Sequence, residues 1–163
     1  MYLIPVNDDD EQDLSDDCWR PYTLSGSEDG TRDCPFLDQV GDLDPAYQVS
    51  FFGWLRNFRK LCAAHPRRPM QELISDERKL HHVGTISLKK PGCGTVEEKV
   101  WQITHDQIRV LWCYAGSGRI ILLGRILLKK QKKTKPADVR AVEALMQSYI
   151  DAAAAGKLTV VGE

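Results

Sequence analysis

The chain lacks any apolar run long enough to cross a membrane, and its first ten residues turn acidic where a signal peptide needs a basic start and a long apolar stretch. A cytoplasmic location is therefore expected. Its five cysteines (Cys18, Cys34, Cys62, Cys93, Cys113) are odd in number and contain no Cys-x-x-Cys pair. That excludes an obvious disulfide framework or zinc site, and the thiols are expected to be reduced, with Cys113 buried in a strand. Histidine is scarce, and the adjacent His81 and His82 would point to opposite sides of a strand, where they do not readily share a metal. The glycines of Lys89-Lys90-Pro91-Gly92-Cys93-Gly94 are not followed by the Gly-Lys-Ser/Thr of a phosphate loop. There is no internal repeat. Neither a metal nor a cofactor is expected.

What is present divides by charge. Residues 1–45 hold 13 acids against Arg20 and Arg32, a net −11, and residues 46–163 hold 20 Lys and Arg against 10 acids, a net +10. The total of −1 conceals an acidic arm on a basic body, a pattern associated with nucleic-acid binding. The run from Asn7 to Asp17 has little to bury, so the extension 1–45 is expected to be partly disordered or docked, with 46–163 as the folded domain. Trp19, Tyr22, Phe36 and Leu37 are the residues with which such an arm would dock, and an arm lying over the basic face is a further possibility.

In the body, Phe51, Trp54, Leu55, Phe58, Leu61 and Cys62 recur at helical spacing between Tyr47 and His65, leaving Arg56, Arg59 and Lys60 largely on the other face. Pro69 begins a second helix, expected to run to about Lys79. Val83–Leu88 alternates as a strand or extended connection, and Val96–Thr104 reads as a strand. Ile108–Tyr114 and Ile120–Leu128 flank Ala115-Gly116-Ser117-Gly118 and form the hairpin around which the rest is organised. Pro136–Ala155 is a last helix, with Val139, Val142, Leu145, Met146, Tyr149 and Ile150 at core spacing. The expected fold class is α+β: a small antiparallel sheet packed with two N-terminal helices and one C-terminal helix.

Between the hairpin and the last helix, Lys129, Lys130, Lys132, Lys133 and Lys135 crowd immediately ahead of Pro136. A helix N-terminus carries the positive end of the macrodipole, so folding alone disfavours cations there, whereas a phosphate partner favours them.

The order of a helix, the strand Val100-Trp101-Gln102-Ile103-Thr104, the strand Ile108-Arg109-Val110-Leu111-Trp112, an apolar strand running into Lys129–Thr134, and a helix opening Pro-Ala-Asp-Val resembles RelE/HigB-type toxins of bacterial toxin–antitoxin systems. The resemblance covers roughly residues 47–151. It implies the RelE-like toxin fold and a metal-independent endoribonuclease that cleaves messenger RNA, often on the ribosome. It also implies neutralisation by a cognate antitoxin, a small helix-turn-helix protein. Two positions depart from the pattern: Thr104 stands where these toxins commonly have arginine, and Arg125 where a histidine is often found. A non-catalytic toxin on the same scaffold, of the ParE-like gyrase-poisoning kind, is the alternative.

Cleavage by 2′-hydroxyl attack needs a base, cations around the phosphorane, and a proton for the departing 5′-oxygen. Lys130 and Lys133 are expected to share proton transfer, because like charges push an ammonium pKa toward neutrality. Arg109 is expected on the strand face opposite Ile108, Val110 and Trp112, holding phosphate in a bidentate grip. Arg125, in an otherwise apolar strand, needs either a carboxylate partner or a substrate phosphate. His105 is a further acid or base candidate. Tyr114 either stacks on a base or packs in the core. Lys129, Lys132, Lys135, Arg56, Arg59 and Lys60 complete the expected RNA-binding set.

Overall fold

The alternation and helical spacing of the apolar residues are realised as two covered faces of one sheet. A computed structural model describes residues 1–7, 14–116, 118–130 and 133–162. In chain order the elements are β1 (Tyr2–Pro5), β2 (Arg20–Ser25), α1 (Pro35–Gly41), α2 (Pro45–Ala64), α3 (Met70–Leu73), β3 (Leu80–Lys90), β4 (Gly94–His105), β5 (Ile108–Ala115), β6 (Ile120–Leu128), α4 (Pro136–Ala154) and β7 (Thr159–Val160). The sheet order is β3-β4-β5-β6-β2-β1-β7.

The class is α+β, as expected, but the sheet is larger than the small antiparallel one anticipated. The meander β3 to β6 is antiparallel, whereas β2 pairs in parallel with β6 and β7 in parallel with β1. Three of the seven strands thus come from outside the meander. Leu3, Tyr22 and Leu24 from the first 45 residues are buried in the same core as Leu122 and Met146, and Val6, Phe36 and Val40 in that of Phe51.

On one face, α2 lays Phe51, Trp54, Leu55 and Phe58 over Ile103, Val110 and Trp112. On the other, α4 lays Val142, Met146, Tyr149 and Ile150 over Leu111, Cys113 and Leu122. Gly124 lets α4 approach: a Cβ there would stand 2.9 Å from Val142 Cγ2. The register of β5 on β6 shifts between Leu111, opposite Arg125, and Trp112, opposite Leu123, so Gly124 is the unpaired residue of a bulge. Cys113 is fully buried, and burial pushes its thiol up to about 12. All five cysteines are free thiols.

The second helix is shorter than expected. Its chain leaves helical geometry at Ile74, and Asp76 forms a turn instead, accepting the Arg78 N–H on its side chain and the Lys79 and Leu80 N–H groups on its carbonyl. At the outer edge of the sheet, Glu143 accepts the Ser87 N–H, and Gln147 both accepts the Lys89 N–H and donates to its carbonyl. These contacts occupy part of an edge that would otherwise template pairing with another chain. No helix among the described residues is long and apolar enough to cross a membrane.

Candidate nucleic-acid interface

The site is built where β4, β5 and β6 meet the first turn of α4. Strand alternation places Arg109 on the α4 face, with Leu111 and Cys113, opposite Thr104 on β4 and Leu127 on β6. Arg125 is opposite Leu111 on the same face, so the two arginines are diagonal neighbours on adjacent strands. Arg109 is half-buried.

Arg125 has a carboxylate partner. Its Nε donates to Asp138 Oδ1 at 2.8 Å, with the Asp138 side chain only 9% exposed. The other carboxylate oxygen, Oδ2, accepts the Lys135 N–H at 3.0 Å. Asp138 therefore caps α4 and anchors Arg125 at once, and its negative charge sits in the first turn where the dipole favours it. The conflict expected between the lysine run and the helix dipole is relieved by this acid. An acid at the third helical position is a capping signal legible in the sequence, overlooked beside the five lysines.

The lysines themselves point outward. Lys129, Lys130, Lys133 and Lys135 are exposed, and among the described residues none of them is in salt-bridge range of a carboxylate. Lys129 ties the end of β6 to the β4–β5 turn through its N–H to Gln107 O at 2.8 Å. The Lys130 ammonium lies 5.9 Å from the Tyr47 ring centroid, within cation–π range, and so reaches toward α2. Lys132 lies outside the described residues. Thr134 donates to the buried Gln102 amide, fixing the loop to β4.

Other expected contributors are not brought to this face. His105 lies on the α2 side, lining a groove of about 400 Å³ with Trp54, Asn57, Phe58, Lys79 and Ile103. Tyr114 takes the core alternative. Its ring packs against Trp19 and Trp112 at 4.5 and 5.0 Å. Its hydroxyl accepts the Met70 N–H and donates to Gln71. Burial pushes it up to about 12, despite the opposing Met70 hydrogen bond. Arg56, Arg59 and Lys60 belong to α2, across the sheet, and Arg59 donates to Asn7 Oδ1 at 2.6 Å.

Two acids of the arm, Asp16 and Asp17, lie elsewhere. Asp16 pairs with Arg20 and Asp17 with Arg67, while Arg119, which covers the Trp19 ring, donates to the Arg67 carbonyl. These contacts cluster at the Ile120 end of β6 and the lysines at its Leu128 end. Eight residues of strand separate the two ends by about 27 Å.

An α+β chain with exposed lysines at the junction of its central hairpin and last helix is the class of protein so defined. The model of the phage-derived Gp49-like family (DUF891) matches residues 54–147, more than half of the chain, and the chain belongs to that family. The family is associated with toxins of toxin–antitoxin systems of the RelE/Gp49 type, whose members typically pair with an antitoxin. No curated protein and no solved structure matches significantly.

Proposed function

We propose that this chain is the toxin of a toxin–antitoxin pair and cleaves messenger RNA without a metal, in association with the ribosome, until a cognate helix-turn-helix antitoxin neutralises it in the cytoplasm. The observation that carries the reading is the pairing of Arg109 and Arg125 on one sheet face beside exposed lysines that no described carboxylate neutralises. A phosphodiester strand supplies the missing negative charge. In this reading Arg109 holds the non-bridging oxygens of the scissile phosphate, Lys130 and Lys133 share proton transfer, and Lys129, Lys132 and Lys135 follow the backbone.

A non-catalytic toxin is the second reading, favoured by two observations: Asp138 already occupies Arg125, and His105 sits on the opposite face. Incubation of the purified protein with messenger RNA, with and without ribosomes, followed by mapping of the cut ends, separates the two. Discrete cuts that vanish in the triple variant Arg109→Gln, Lys130→Gln, Lys133→Gln support the nuclease. Intact RNA alongside growth arrest supports the binding toxin. Cleavage unchanged in the triple variant refutes the assignment of these residues.

A further inference from the structure

The α4 face of the sheet changes character along its strands. Over most of its length it is apolar: Ile86 and Leu88 on β3, Val100 on β4, Cys113 on β5 and Leu122 on β6 all belong to the core beneath α4. At the end nearest the first turn of α4 it turns polar. His81 on β3 stands opposite Gln102, and Thr104 opposite Arg109, with Arg125 beyond Leu111. Gln102 is held by Thr134 and Arg125 by Asp138, so the loop and helix above this floor are fastened to it.

His81 is the member whose chemistry is otherwise unexplained. Its Nδ1 is buried without a hydrogen-bond partner while the residue as a whole is half-buried, which leaves Nε2 as the ring nitrogen available to a substrate. His82 is different: it faces the other way in register with Trp101, and its Nε2 lies 2.7 Å from the Gly84 carbonyl. Of His81, Gln102, Thr104, Arg109 and Arg125, only the imidazole offers both a nitrogen lone pair that accepts a proton and an N–H that returns one. His81 and Arg109 are two strands and two residues apart, about 12 Å between Cα atoms from standard sheet spacings.

We infer, on the reading of the chain as an RNA-cleaving toxin, that His81, in place of a lysine, is the general base of the reaction. His81 Nε2 takes the 2′-hydroxyl proton as the 2′-oxygen bonds to phosphorus. The bond from phosphorus to the 5′-oxygen breaks, and that oxygen receives a proton from the Lys133 ammonium. The products are a 2′,3′-cyclic phosphate and a 5′-hydroxyl, and water restores both side chains to their starting protonation states.

The test is single-turnover cleavage of an oligoribonucleotide by wild type, His81→Asn and His81→Gln, with binding of the corresponding 2′-deoxy oligonucleotide measured in parallel. Cleavage is expected to slow about 100-fold or more, with affinity nearly unchanged. In the wild type, the His81 ring resonances are expected to shift when the 2′-deoxy oligonucleotide binds, which decides the matter if both variants unfold. A folded His81→Asn protein cleaving within about threefold of an active wild type, or a His81 ring that binding leaves unmoved, overturns the assignment while the nuclease reading stands. A wild type that leaves RNA intact overturns both.

Discussion

Removing the Asp138 carboxylate tests how the lysine-rich junction is held. Asp138→Ala deletes two interactions: the cap on the Lys135 N–H and the 2.8 Å contact with Arg125. Loss of a helix N-cap acceptor costs about 1 kcal/mol. A charge-assisted hydrogen bond contributes about 1.5–3 kcal/mol, but the Arg125 side chain is 38% exposed, and water screens what remains, so the lower end applies. The expected loss is about 2–3 kcal/mol, or a melting temperature lower by about 5–10 °C for a chain of this size. Urea unfolding of Asp138→Ala, Arg125→Met and the double variant measures it. The double variant should be less destabilised than the sum of the singles, because removing both partners strands no buried charge. A loss below about 0.5 kcal/mol in Asp138→Ala, or strict additivity, would refute the argument that this pair fastens α4 to the sheet.

Other consequences follow from the same contacts. Gly124→Ala places a methyl 2.9 Å from Val142 Cγ2 and is expected to cost about 1–3 kcal/mol in chemical unfolding, with part recovered by Val142→Ala; an unaffected midpoint would show that α4 stands off the bulge. Tyr114 is held neutral by burial, its hydroxyl raised from 10.0 to about 12. The folded state therefore keeps a proton that the unfolded chain gives up, and this contribution to stability is present below about pH 10 and lost as pH rises toward 12; Tyr114→Phe should flatten that alkaline decline. Deleting residues 1–25 removes β1 and β2 and uncovers β6, so the truncated chain is expected to aggregate; a soluble chain with an unchanged melting curve would show those strands to be dispensable.

The chain's own pattern determined the elements that fold against near neighbours. The helical spacing of Phe51, Trp54, Leu55 and Phe58 gave α2, found at Pro45–Ala64, and the apolar runs around Gly116 and Gly118 gave β5 and β6 with their flanking strand and helix. It also set the facing of Arg109, because alternation along a strand is a local rule. Tertiary structure alone decided the rest. Arg20–Ser25 contains a proline and two small polar residues and carries little strand signal, yet it becomes a buried strand because β6 offers a parallel edge a hundred residues away. Likewise Arg125 met Asp138, and His81 came to share a floor with Arg109, only once four strands had aligned in register. Periodicity encodes which side of an element is dry, whereas the partner that completes a strand edge or a buried charge is fixed by closing loops whose ends the sequence does not mark.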